Sequence, residues 1–210
     1  MPPTLFPTRI ESDRLWFERI SPDTVDLFEF YEFVTSDAWQ EDATEHMPWF
    51  RCDRLDEVHE FVSTANEAWE AADTARYLLR TVDDRELIGI TGYGPEWEAR
   101  RAGSGVVLAS DQWGIEYGLE RASVFVELTF ELYDLDAYYA TCAAANERSR
   151  RMIEKYVDTY GGRYEGLLRQ HSPRPNGDVT DQHRFSILRS EFEEATRDRK
   201  TLDFELQWEA

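Results

Sequence analysis

Lysine is nearly missing from this chain. Of 23 cationic residues only Lys155 and Lys200 are lysine, the rest are arginine, and 43 Asp and Glu leave a formal charge of −20. Cysteine is as scarce: Cys52 and Cys142 are too few for a scaffold stapled by disulfides, and both read as free thiols. Long apolar runs are missing too. The longest, such as residues 87–90 and 106–109, fall far short of the ~18 residues that span a bilayer, so no membrane partner is expected. The opening Met1-Pro2-Pro3-Thr4 has neither a basic nor an apolar signal region, which makes the cytoplasm the expected location. No unit repeats with a period of 20 to 50 residues, which excludes solenoids. No basic stripe appears at domain scale, so nucleic acid is not an expected partner.

What is present is a hydrophobic share of 41% and an aromatic share of 14%, enough to exclude wholesale disorder. A chain of 210 residues buries roughly 70% of its unfolded surface and needs no metal or disulfide staple. The surplus of carboxylates has its own reading. At molar salt the Debye length falls to ~3 Å, so an acidic, arginine-biased surface stays hydrated and repels itself weakly. A salt-loving host accounts for both features; an acidic protein of an ordinary cytoplasm is the alternative.

Periodicity gives the order of elements. Residues 14–19 alternate as a strand, and Ser21-Pro22-Asp23 caps a helix carrying Val25, Leu27, Phe28 and Phe33. A second helix over 56–73 spaces Val58, Phe61, Val62, Ala65 and Trp69 at helical intervals. Three strands follow at 76–82, 86–93 and 105–109, then a helix over 117–133, a strand at 137–143 and a helix over 146–160. Strands at 163–169 and 183–189 flank a turn-rich stretch whose Pro173, Pro175 and Asn176-Gly177 mark a hairpin tip. The result is β-α-α-β-β-β-α-β-α-β-β, an α+β domain over 1–190 with a mixed, mostly antiparallel sheet, followed by an appendage over 191–210.

Two segments carry chemistry. Between a strand and a helix lies Trp113-Gly114-Ile115-Glu116-Tyr117-Gly118-Leu119. Unpaired N–H groups at a helix start, the positive end of the dipole and nearby glycines make such a turn receptive to phosphate, although most such turns are simply turns. The second is Asn146-Glu147-Arg148-Ser149-Arg150-Arg151, with Lys155 beyond it. Asn146 is a good N-cap, Ser149 shares its helical face, and the four cations Arg148, Arg150, Arg151 and Lys155 invite an anion or else pair with Glu147 and Glu154. His46, Cys52 and His59 are spaced six and seven apart, off any single helical face, so no metal site is expected. Cys142 lies in an apolar strand, where burial raises a thiol's pKa, and reads as packing.

Taken together, the strand at 105–109, Trp113-Gly114-x-x-Tyr117-Gly118-x-Glu120 and Asn146-x-Arg148-Ser149 with Glu154-Lys155 resemble the GNAT superfamily of acyl-CoA-dependent N-acetyltransferases. The likeness is strongest to the branch that acetylates ribosomal-protein N-termini. It extends from Thr8-Arg9-Ile10 and Asp13-Arg14-Leu15, through His46-Met47-Pro48-Trp49, to Arg163-Tyr164-Glu165-Gly166.

The resemblance implies that the strands at 105–109 and 137–143 splay apart around acetyl-CoA as cosubstrate. It places the acetyl and pantetheine end on Val107, Leu108 and Ala109, and the pyrophosphate on residues 113–119. Asn146 would bond the pantetheine arm, Ser149 would sit at the sulfur, and Arg151 and Lys155 would meet negative charge. One position departs from the family loop, Q/R-x-x-G-x-G/A, where Glu116 replaces the first glycine. A carboxylate ~5 Å from a phosphate at an effective dielectric of ~20 costs about 3 kcal/mol, some 100-fold in affinity, unless the side chain faces away.

Acetyl transfer needs a proton acceptor on the amine and a donor near the sulfur. Ser149 is the expected donor. Glu41, Glu45 and His46 are candidate bases, with imidazole favoured only by its ordinary titration near neutrality. Trp39, Trp49, Phe50 and Trp97 either line an acceptor mouth or belong to the core. The expected activity is transfer of acetyl to a primary amine, such as a protein N-terminus, by direct attack in a ternary complex. A small-amine acetyltransferase and a non-catalytic acyl-CoA-binding protein are the alternatives.

Overall fold

The structure, a computed structural model, describes residues 4–47, 50–173 and 177–208. Among these residues nine strands and five α-helices follow one another: β1 (Arg9–Glu11), β2 (Leu15–Arg19), α1 (Leu27–Val34), α2 (Leu55–Glu70), β3 (Ala75–Thr81), β4 (Leu87–Glu96), β5 (Arg101–Leu108), α3 (Tyr117–Glu127), β6 (Ala137–Ala143), α4 (Glu147–Thr159), β7 (Arg163–Pro173), β8 (Val179–Leu188), α5 (Arg189–Thr196) and β9 (Glu205–Gln207). The strands share one mixed sheet in the order β7-β8-β6-β5-β4-β3-β2-β1-β9. The α+β class and mixed sheet are as the sequence predicts, with β5 and β6 as the parallel pair.

Two compact units divide the chain. The first comprises Met1–Gly94, Gly105–Tyr117 and Phe204–Ala210. Its core forms because α2 presents Val58, Val62, Ala65 and Trp69 on one face at the predicted spacing, the first three packing with Leu78 and Ile90 of the sheet and Trp69 meeting the Phe6 and Tyr77 rings. Trp39, within the π-helical turn Ala38–Ala43, is fully buried there and donates its indole N–H to the Phe50 carbonyl at 3.1 Å. It is a core residue and not part of an acceptor mouth. The first helix is capped by Asp26, whose side chain accepts from the Phe28 and Glu29 amides, and not by the Ser21-Pro22-Asp23 turn.

The second unit comprises Pro95–Ser104 and Gly118–Asp203. β6 pairs with β8 along its whole length, from Ala137↔Leu188 to Ala143↔Gln182. Phe130, Phe192 and Tyr160 stack in series, with ring centroids 4.6 and 5.7 Å apart. Residues 191–210, set apart as an appendage in the sequence, hold most of α5 and the whole of β9. The parallel register of β5 with β6 covers Arg101↔Ala137, Ala102↔Tyr138 and Gly103↔Tyr139, and no later pair among the described residues joins the two strands.

Candidate functional site

In the first unit the chain leaves β5, makes one 3-10 turn at Ser110–Gln112 and enters α3 at Tyr117. The Ala109 amide donates to the Ile88 carbonyl at 3.0 Å, so it is spent within the sheet. By strand alternation the Val107 amide faces β4 as well, and Leu108 directs its amide toward the opposite edge of β5. Of the three residues expected at the acyl end, Ala109 therefore has no amide left for a ligand.

The Trp113 indole N–H donates to the Leu108 carbonyl at 3.1 Å and folds the turn back onto β5. Gly114 has φ +85° with nothing within 4 Å of where a Cβ would stand, so a ligand can approach its backbone. Arg14 braces the end of this turn: Nη1 donates to the Ile115 carbonyl at 2.9 Å, and the guanidinium lies 5.1 Å from the Tyr117 ring centre. Sequence reasoning gave Arg14 no part in the site; its signal was the Asp13-Arg14-Leu15 match. Glu116 is exposed and has φ +66°, so the left-handed backbone conformation that suits glycine persists although the residue is glutamate.

The candidate bases are also in this unit. Glu45 is exposed, His46 is partly buried, and their carboxylate and Nε2 are 3.8 Å apart. The Glu41 side chain, Pro48 and Trp49 lie outside the described residues. Phe50 packs against the core beside Phe61, with centroids 5.9 Å apart. Cys52 is buried, and burial, followed by the nearby Glu57 and Asp53 carboxylates, pushes its thiol up to about 11.

In the second unit Gly118 opens α3 against α4. A Cβ there would stand 2.3 Å from the Met152 sulfur, so this glycine permits helix packing. Leu119, the next residue, is partly buried. Asn146 caps α4 by accepting from the Ser149 amide at 2.9 Å, which leaves Nδ2 as the end that can donate to a ligand. Cys142 is buried, and burial, opposed by the nearby Arg150 and Ser149, pushes its thiol up to about 11. Both cysteines are therefore neutral thiols and poor nucleophiles at neutral pH.

Arg151 and Lys155 line an open groove of about 530 Å³ with Arg163, Tyr164 and Phe185. That flank of α4 is not the one occupied by Met152 against Gly118; Arg148, one turn before Met152, shares the Met152 flank. Behind the groove His183 is 9% exposed, its Nδ1 2.9 Å from the Tyr164 hydroxyl and its Nε2 3.4 Å from Arg150. Trp97 is 37% exposed and meets Tyr133 edge-on, with centroids 5.7 Å apart.

A family model described as an acetyltransferase (GNAT) domain matches residues 14–156. The chain belongs to the GNAT acetyltransferase family. It is an acyltransferase that moves acetyl from acetyl-CoA to an amine. No curated protein sequence matches it. Among solved structures, a protein described as a ribosomal-protein-serine acetyltransferase of Vibrio cholerae is 18% identical with a TM-score of 0.71, covering 88% of this chain and 99% of its own. A GCN5-related N-acetyltransferase of Brucella melitensis is 16% identical with a TM-score of 0.74, covering 92% and 87%. Spermidine N-acetyltransferase of Vibrio cholerae, solved with CoA and spermine, is 18% identical with a TM-score of 0.65, covering 86% and 99%. The local chemistry fits acetyl-CoA: an open glycine backbone before a helix start for the diphosphate, and an amide and an Asn donor for the amide-rich arm.

Proposed function

We propose that the protein acetylates the N-terminal amine of a protein substrate by direct attack on the thioester. The single observation that carries the chemistry is the position of Ser149, one helical turn inside the Asn146 cap whose side chain accepts its amide. As the amine nitrogen bonds to the acetyl carbon the carbon–sulfur bond breaks. The amine sheds a proton and the departing sulfur gains charge. The Ser149 hydroxyl stabilises that charge by hydrogen bonding. The Leu108 amide polarises the carbonyl, and the residues from Trp113 to Leu119 hold the diphosphate through backbone. Glu45, His46 and Glu41 are the groups available to take the amine's proton.

The acceptor assignment is supported by the likeness of nearly the whole chain to the ribosomal-protein branch. A polyamine acceptor is the second reading, supported by the spermidine enzyme among the structural neighbours. The exposed Glu116 on a loop that keeps its left-handed turn supports a binding-competent enzyme over a non-catalytic CoA-binding protein. Incubation with acetyl-CoA, a panel of N-terminal peptides and spermidine in concentrated KCl, read by mass spectrometry, separates these readings. Acetylated peptide α-amines are the expected product. Acetylated spermidine alone would replace the acceptor, and acetyl-CoA binding without any product would replace the enzyme.

A further inference from the structure

One arginine of the second unit holds no acid. Arg184 on β8 is partly buried, and its guanidinium makes no hydrogen bond and no ion pair among the described residues. It lies instead 4.6 Å from the Tyr139 ring centre on β6. Arg101 meets the same ring at 5.4 Å, but its Nε and Nη2 are spent on one oxygen of Glu96, at 2.9 and 2.5 Å. That pairing is the main reason the Glu96 carboxyl stays below its usual range, with Arg184 a lesser cause. Glu165 on β7 accepts from the Ser186 hydroxyl and not from Arg184.

Strand alternation sets the face. Tyr138 and Cys142 of β6 and His183 and Phe185 of β8 are buried, on the side where Tyr138 meets Tyr156 of α4 with ring centroids 6.3 Å apart. Tyr139, Thr141 and Arg184 point to the other side and stay partly exposed. In the register Arg184 stands between Thr141 of β6 and Gly166 of β7. Nothing lies within 4 Å of where a Gly166 Cβ would stand, so room is left beside the guanidinium. The Tyr139 ring is wedged over Gly103, where a Cβ would come within 2.8 Å of it, so the platform under the guanidinium is fixed.

A guanidinium laid on an aromatic ring keeps its N–H edge free, and that edge matches a carboxylate through two parallel hydrogen bonds. This chain has 43 Asp and Glu against 23 Lys and Arg, yet none of the described acids has taken this fork. We infer that Arg184, seated on Tyr139, receives a carboxylate side chain near the N-terminus of the acceptor protein, which makes it a specificity-determining residue of the transfer. Thr141, its register partner, stands five residues before Asn146, the cap that presents Ser149. That stretch of chain spans at most about 17 Å, which an extended acceptor covers in about five residues. The acid therefore belongs within roughly the first six positions of the acceptor. This rests on the reading that a protein N-terminus is the acceptor.

The test uses hexapeptides that carry one Glu, moved through positions 2 to 6, or Gln in its place, with free and with N-acetylated N-termini. Steady-state kinetics with acetyl-CoA and the free peptides are expected to give wild type a KM about tenfold lower for the best-placed Glu peptide than for its Gln counterpart, at equal kcat. Arg184→Gln should bring the two KM values together and leave kcat unchanged. If that variant does not fold, Arg184→Met, which keeps an unbranched stem over the ring, decides in the same way. Equal KM values in wild type, or a Glu preference that survives in the variant, would overturn the inference. Calorimetric titration of the N-acetylated peptides tells its failure from that of the acceptor reading. If no free peptide is acetylated but wild type binds the Glu peptide more tightly and Arg184→Gln does not, the acceptor reading fails and the carboxylate receptor stands. If neither protein distinguishes Glu from Gln, the receptor fails.

Discussion

The Asn146 side chain accepts from the Ser149 amide at 2.9 Å across the first turn of α4. The cap fixes the backbone of Ser149 at the start of the helix, and a hydroxyl carried on a fixed backbone needs little reorganisation to meet a departing sulfur. Replacing Ser149 by Ala is expected to lower kcat roughly 100-fold while acetyl-CoA affinity stays within about threefold. Steady-state kinetics beside calorimetry check this, and an unchanged kcat removes Ser149 from the chemistry.

Two neighbouring loop residues share a left-handed backbone and should respond in opposite ways. Glu116→Gly relieves the steric cost of φ +66° and is expected to stabilise the fold by about 0 to 1 kcal/mol without weakening acetyl-CoA binding. Gly114→Ala meets no neighbouring atom but places a Cβ at φ +85°, a loss of about 1 to 2 kcal/mol. Binding should weaken with it, because the open backbone is covered. Denaturant melts and titrations of the two variants give both signs.

Asn146 is assigned two tasks that substitution can separate. Asn146→Asp keeps the cap on the Ser149 amide but removes the Nδ2 donor, whereas Asn146→Ala removes both. The alanine variant should lose about 1 kcal/mol of stability, and the aspartate variant should keep it. If both bind acetyl-CoA equally weakly, the donor end holds the arm; if the aspartate variant binds like wild type, Asn146 is only a cap.

The two thiols set a pH limit on stability. Each is raised from 9.0 to about 11 in the folded protein, so the fold favours the neutral form. Above pH 9 the unfolded chain holds fewer thiol protons than the native one, so this contribution is complete below pH 9 and is lost as pH rises toward 11. Melts across that interval should show falling stability, with a smaller drop in Cys52→Ala. Iodoacetamide should also modify both thiols slowly at pH 8 in native protein.

Salt is expected to strengthen the native state. With a formal charge of −20, raising KCl from 0.1 M to 1 M shortens the Debye length from ~10 to ~3 Å and weakens mutual repulsion among the carboxylates. A melting temperature that climbs with KCl fits a salt-adapted surface. A flat or falling one favours the ordinary acidic protein.

Legibility in the sequence followed the strength of local signals. β6 coincides with its predicted span, and α2 and α4 lie within three residues of theirs, because apolar spacing at periods of 2 and 3.6 is dense there. β1 and β9 are three residues each, too short to show a period, and form by pairing, β1 on β2 and β9 on β1. β5 begins four residues before its predicted start, where Gly103 weakens the strand pattern while its missing side chain makes room for the Tyr139 ring. The loop and cap residues were readable from their chemistry. Arg121 was not: beside Glu120 on a helix an arginine reads as solvent-facing charge, and only tertiary packing reveals it in the interior.

Pairing of Arg9 with Gln207, reinforced by the Thr8 hydroxyl on the Gln207 carbonyl at 3.2 Å, stitches the beginning and the end of the described chain side by side. β9 thus covers, with a strand of three residues, the edge that β1 would otherwise present. Proline in place of Leu206 should unseat that cover and leave β1 a bare template, so the variant should self-associate in size-exclusion chromatography where the wild type does not.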